Sequence, residues 1–151
     1  MAIAVGCSDG LGFGYNTRAA IITRGLAEII LLGVTLGANP LTFSGLSGLG
    51  DLVLTCTGSL SRNRTVGIKL SEGMSLEEIV ESSKMVAEGI RTTQSAYQLV
   101  QRGGIEMPIV EQVYQILYER KDPYEALNDL MGRTLRYELH GIAKSQSDGG
   151  Q

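Results

Sequence analysis

The chain has 151 residues, of which 43% are hydrophobic and 19% charged, a balance that excludes a disordered polymer and fits one globular domain with its own core. Thirteen basic against sixteen acidic residues give a formal charge of -3, so there is no basic excess to hold a phosphate backbone, and a dedicated nucleic-acid binder is excluded. The longest charge-free apolar run, 29–38, falls short of the roughly 20 residues of a membrane span, so no membrane partner is expected.

In chain order the signals are helical. The opening MAIAVGC lacks the basic and long apolar regions of a secretion signal and reads as the first turns of a core helix over about 1–11, stopped by Gly10, Gly12 and Gly14. Asn16 is the expected cap of a long helix running to about Leu36, with Ile22, Leu26, Ile29, Ile30 and Val34 near a 3.6-residue period. Its second half carries no charge and is expected to be deeply buried. Asn39-Pro40 then opens a short helix that Gly45 closes. Residues 47–57 (SGLGDLVLTCT) admit a strand or a helix; as a helix, Asp51 and Thr55 share one face.

Ser61 is placed to cap a helix over about 62–70, which Gly73 ends. Ser75 with Glu78 forms a capping box for a helix to about Ser82. From Glu88, residues Ile90, Thr93, Ala96, Tyr97 and Val100 outline a further helix, stopped by Gly103-Gly104. Pro108 begins the next, with Ile109, Val113, Ile116 and Leu117 as its stripe. Asp122-Pro123 and Glu125 start a last one to about Met131, and the remainder reads as a mobile tail. The expected fold is all-α, a multi-helix bundle. Cys7 and Cys56 make no CxxC pair, so a reducing, cytoplasmic setting is expected rather than a disulfide framework.

His140 stands apart from any cysteine or acidic cluster with metal spacing, so no metal site is expected. None of the 20 glycines builds a GxGxxG or GxxxxGK[ST] fingerprint, so this chain has no nucleotide motif of its own. The dense stretch is GLSGLGDLVLTCTGSLSRNRT, 45–65. Its glycines let backbone approach a ligand, Asp51 can accept from a hydroxyl, and Thr55 follows one turn later. The helix start at Ser61, the guanidinium of Arg62 and the amide of Asn63 suit an anion. These features fit a small polyol phosphate. They also fit a capped helix whose arginines pair with surface acids, with Asp51 acting as a cap.

The segments SDGLGFGYNTRAAIITRGLAEI (8–29), SGLSGLGDLVLTCTGSLSRNR (44–64) and KMVAEGIRTT (84–93), with Met107-Pro108, resemble the bacterial NAD(P)-dependent glycerol-3-phosphate dehydrogenases over nearly the whole chain. The resemblance implies the helical C-terminal domain of such an enzyme, of the 6-phosphogluconate dehydrogenase C-terminal type, spanning 1–138 with a tail at 139–151. It implies hydride transfer between NAD(P)H and dihydroxyacetone phosphate, giving sn-glycerol 3-phosphate for phospholipid synthesis. Position by position, it implies substrate contacts at Asp51, Ser61, Arg62 and Asn63, support from Thr55, and cofactor contacts at Arg62, Val86 and Glu88. The family's proton-transferring lysine would fall about three residues before Met1, and its N-terminal Rossmann domain is not in this sequence, so the isolated chain is expected to be inactive. A homodimer through the apolar end of the long helix is a further expectation. The alternatives are a helical domain of another related dehydrogenase, or a catalytically idle interaction or dimerisation module.

Overall fold

Seven consecutive residues of the first helix, α1 (Ala2–Gly10), are buried, from Ala2 to Ser8, so this helix has no solvent face. In the structure, a computed structural model that describes residues 1–82 and 87–132, α1 lies at the centre of the bundle. Around it run α2 (Gly14–Thr35), α3 (Asp51–Thr57), α4 (Arg62–Ser71), α5 (Leu76–Ser82), α6 (Glu88–Gly103), α7 (Pro108–Tyr118) and α8 (Pro123–Gly132). A 3-10 turn (Pro40–Ser44) and a π-helical turn (Leu46–Gly50) link α2 to α3. No strand occurs among the described residues, so the fold is all-α.

The crossing of α1 and α4 is the closest in the bundle, and glycine makes it possible. A Cβ on Gly67 would stand 2.0 Å from the Ile3 carbonyl oxygen, and one on Gly6 would stand 2.0 Å from that of Arg64. One turn on, Gly10 faces Ser71, whose Oγ would lie 1.9 Å from an added Cβ. Small residues at i and i+4 on both helices therefore bring the two backbones into direct contact.

A nearly buried carboxylate locks the same crossing. Asp9 Oδ1 accepts from Arg18 Nε and Nη2 at 2.9 and 2.7 Å, and Oδ2 accepts from Arg64 Nε at 2.6 Å. The Asp9 side chain is 8% exposed and the two arginines 23% and 19%, so the charges are largely shielded from water and each needs the others. One residue of α1 thus ties α2 and α4 in place.

A second buried acid joins α2 to α7. Pro108 at the first helical position and Met107 at the cap leave α7 without a side-chain cap of its own. Glu28 supplies it, accepting from the N–H groups of Ile109 and Val110 at 2.8 and 3.3 Å. Burial pushes the Glu28 carboxyl up from 4.5 to about 7, against the opposing pull of those N–H groups, the chain's amino group and Arg24. The folded state then binds the proton more tightly than the unfolded one. This contribution to stability is complete below about pH 4.5 and is lost as pH rises through about 7. Unfolding free energy is expected to fall by up to about 3 kcal/mol across that window. Glu28→Gln, which cannot ionise, should flatten the fall, although it forfeits the bond to Val110. Urea titrations at stepped pH read this directly, and parallel pH curves for the two proteins would refute it.

Several local expectations hold. Asn39 accepts from Leu41 N at 3.0 Å, and Ser75 and Glu78 exchange their capping-box bonds at 2.7 and 3.2 Å. Asp122 caps α8 through the N–H groups of Tyr124 and Glu125 at 2.8 and 3.1 Å. Residues 47–57 are helical, a π turn running into α3 rather than a strand.

Two expectations fail. Asn16 is not the cap of α2, which begins at Gly14 behind Phe13. Gly12 and Gly14 take φ values of 75° and 81°, a left-handed turn that starts the helix early and leaves Asn16 inside its first turn. The second half of α2 is only half-buried, and Leu36 is 66% exposed. Leu32 packs on the Val100, Met107 and Val110 cluster and Gly33 meets the Phe43 ring, but among the described residues no further layer covers the helix. A homodimer across it therefore has exposed apolar surface available, which is not itself a partner. The tail at 139–151 and His140 lie outside the described residues, as does the end of the domain from 133 to 138.

Candidate functional site

Three helix ends converge beside the α1–α4 crossing. Helix α3 stops at Gly58, and the chain turns through Ser59 and Leu60 with Ser61 N–H donating to the Gly58 carbonyl at 3.2 Å. Ser61 then caps α4, its Oγ accepting from Arg64 N at 3.3 Å. The start of α6 at Glu88 closes the third side. Together they enclose a cleft of about 470 Å³, within the usual size range of small-ligand sites, lined by Thr55, Ser61, Arg62, Asn63 and Glu88 with Leu54 and Leu60 as its apolar walls.

The two arginines of Ser-Arg-Asn-Arg have separate tasks. Arg64 is committed to Asp9. Arg62 is exposed, and among the described residues it enters no hydrogen bond or ion pair, so its guanidinium is available to a ligand. The N–H groups of Arg62 and Asn63 are first-turn donors with no intrahelical partner, at the positive end of a ten-residue helix. Asn63 is half-buried and accepts from Gly89 N–H at 2.9 Å through Oδ1, which leaves its Nδ2 donors without a partner among the described residues. Forked cation, backbone N–H groups and amide donors are the components of a phosphate or carboxylate site.

The structure thus brings together Thr55, Ser61, Arg62, Asn63 and Glu88. It does not bring Asp51 to the lining. Asp51 is exposed in the first turn of α3, one turn before Thr55 on the same face, beyond the rim of the cleft. Val86 lies outside the described residues. Sequence reading missed two supporting residues, Gly89, which holds Asn63, and Asp9, which holds Arg64. Both act across long sequence separations, 26 and 55 residues, and neither shows in a local pattern.

Among the described residues no group of three His, Cys, Asp or Glu could hold a metal ion, and no helix is long and apolar enough to cross a membrane. Cys7 and Cys56 are buried free thiols, and burial pushes Cys7 up to about 12, far from a reactive thiolate.

The family model for the NAD-dependent glycerol-3-phosphate dehydrogenase C-terminus matches residues 1–128. The chain is 62% identical over 138 residues to glycerol-3-phosphate dehydrogenase [NAD(P)+] of Citrifermentans bemidjiense, covering 91% of this chain and 41% of that protein. It is 58% identical over 142 residues to the enzyme of that name from Thermoanaerobacter sp., covering 94% and 43%. The crystal structure of glycerol-3-phosphate dehydrogenase from Coxiella burnetii superposes with a TM-score of 0.85 at 47% identity, over 87% of this chain and 41% of that one. The chain belongs to the glycerol-3-phosphate dehydrogenase C-terminus family and spans about 41% of the length of these relatives.

Proposed function

We propose that this member of the family is the helical, substrate-binding part (1–138) of an NAD(P)-dependent oxidoreductase that interconverts dihydroxyacetone phosphate and sn-glycerol 3-phosphate. The observation that carries the reading is an uncommitted Arg62 beside a fixed Asn63 at the start of α4, on the wall of one cleft. On this reading Arg62, the first-turn N–H groups and Asn63 Nδ2 hold the phosphate. Thr55 lines the hydroxylated end, and Asp51 accepts from a substrate hydroxyl or holds a lysine ammonium once a second domain narrows the space above α3.

Binding energy gathered at the phosphate, remote from the reacting carbon, would hold the carbonyl in line for reduction. NAD(P)H, when bound, supplies the hydride. Glu88, exposed at the cleft, has the acceptor chemistry that amide and hydroxyl donors of such a nucleotide require, and Arg62 has the charge for its phosphates. Val86 completes the cofactor contacts on the family's pattern. The proton-transferring lysine and the nucleotide-binding fold would come from an N-terminal Rossmann domain. The product feeds phospholipid synthesis in the cytoplasm.

Titration of the 151-residue chain with sn-glycerol 3-phosphate, followed by amide resonances, tests the reading. Shifts are expected at Thr55, Ser61, Arg62 and Asn63, with a Kd no tighter than about millimolar for half a site, and none with glycerol. The chain alone should not oxidise NADH in the presence of dihydroxyacetone phosphate. Shifts confined to another face, or turnover above background, would remove the assignment.

A homodimer is part of the same proposal. No charged residue lies between Glu28 and Asp51, and Leu36, Leu41 and Leu46 in that segment are 66%, 76% and 90% exposed. Such surface favours a second apolar face over water. Light scattering at two concentrations checks it, and a monomer at both would count against it.

A further inference from the structure

Helix α6 begins without a cap of its own. Ala87 occupies the cap position and offers no side-chain acceptor, so the first N–H groups of the helix need a partner from elsewhere. Gly89, the second residue of the helix, finds one in Asn63 Oδ1 at 2.9 Å, 26 residues away. The bond decides which way the Asn63 amide faces. An asparagine amide carries an acceptor and a double donor of nearly equal shape, and only the donor end attracts an anion. With Oδ1 engaged by Gly89, the Nδ2 donors are the end left for the cleft.

The fit also depends on Gly89 having no side chain. A Cβ there would stand 2.5 Å from Asn63 Oδ1, 2.7 Å from Cγ and 3.0 Å from Nδ2, so the whole carboxamide rests on the bare Cα. Thr93 Oγ1 donates to the Gly89 carbonyl at 2.7 Å and secures the first turn of α6 from the other side. The backbone of Gly89 needs no left-handed conformation, so space rather than φ is what glycine provides here.

We propose that Gly89 is a positioning residue of the anion site, whose N–H and bare Cα hold the Asn63 amide with its donors toward the ligand. The inference rests on the reading of the cleft as an anion site. The N-termini of α4 and α6 are thereby joined through a single carboxamide, and occupancy of the cleft is felt by both.

Inorganic phosphate and sn-glycerol 3-phosphate, each titrated into the chain and into its variants with amide detection, test the proposal. Gly89→Ala is expected to weaken both ligands about tenfold, the scale of one misplaced charge-assisted hydrogen bond. Its melting temperature should change little, because the helix preference of alanine over glycine offsets the loss of the bond to Asn63. Asn63→Asp keeps an acceptor for Gly89 and should preserve slow hydrogen exchange at the Gly89 amide while losing both ligands. Asn63→Ala should speed that exchange and lose the ligands as well. Wild-type affinity in Gly89→Ala, or fast exchange at Gly89 in the wild type, would overturn the positioning role and leave the anion site standing. A wild-type chain that binds neither ligand would overturn the anion site, and the positioning role with it, whatever the exchange rate at Gly89.

Discussion

Arg62→Ala, placed in an enzyme that joins this chain to a relative's nucleotide-binding domain, is expected on the proposed function to lower kcat/KM for dihydroxyacetone phosphate by about a hundredfold or more. A hydrogen-bonded charge pair contributes about 1.5–3 kcal/mol, and a guanidinium fork can make two such bonds to one phosphate. About 3 kcal/mol corresponds to a factor of somewhat more than a hundred in rate. The loss should be confined to the phosphorylated substrate. Unphosphorylated dihydroxyacetone gives Arg62 nothing to hold, so wild type and variant should reduce it with similar, low efficiency. Arg62 is exposed and unpaired among the described residues, so its removal should change the unfolding free energy by no more than about 0.5 kcal/mol. Steady-state kinetics on the two substrates measures the effect. Activity on the phosphate ester within threefold of wild type would transfer the anchoring role to other residues.

Gly67→Ala should be among the most damaging single-methyl additions available to this chain. The new Cβ would lie 2.0 Å from the Ile3 carbonyl oxygen and 2.7 Å from the Cys7 nitrogen, both backbone atoms that cannot rotate aside. Relief requires α1 and α4 to separate, which also pulls Val66 and Leu70 from the core and strains the Asp9–Arg64 bond. A loss of about 3 kcal/mol or more is expected, at the upper end for overpacked cores. Gly132→Ala is the matched control, because a Cβ there meets nothing within 4 Å among the described residues. That substitution should leave stability unchanged or slightly higher. Guanidinium unfolding of the two variants beside the wild type reads the contrast, and equal midpoints would mean that α1 and α4 do not touch through their backbones.

Local chemistry was legible in the sequence wherever a side chain serves its own neighbours. Asn39, Ser61, Ser75 and Asp122 each bond to backbone two or three residues away, so their helix starts could be read from spacing alone. Asparagine is a preferred cap, but the left-handed turn at Gly12 and Gly14 starts α2 before Asn16 can serve as one. The apolar end of α2 differs for another reason. Periodicity reports what a helix could bury, while the number of layers around it decides what it does bury.

For the cleft, the Ser61–Asn63 segment and Thr55 could be picked out as a helix start with forked and amide donors, whereas Glu88 entered only through family resemblance. What lends the cleft its shape was illegible. The bonds from Asp9 to Arg64, Asn63 to Gly89 and Glu28 to Ile109 cross 55, 26 and 81 residues. No spacing rule reaches across such gaps, and only packing of the helices creates them.

The crossing of α1 and α4 bears on how tolerance to substitution along this chain should be read. Gly6, Gly67 and Asp9 touch no ligand in the proposed scheme, yet growth selection would penalise changes there as severely as at Arg62. A selection scored on growth alone would merge scaffold and chemistry into one class of intolerant positions. Scoring cellular abundance alongside growth separates them, since scaffold variants vanish from the soluble pool while an Arg62 variant accumulates as folded, ineffective protein.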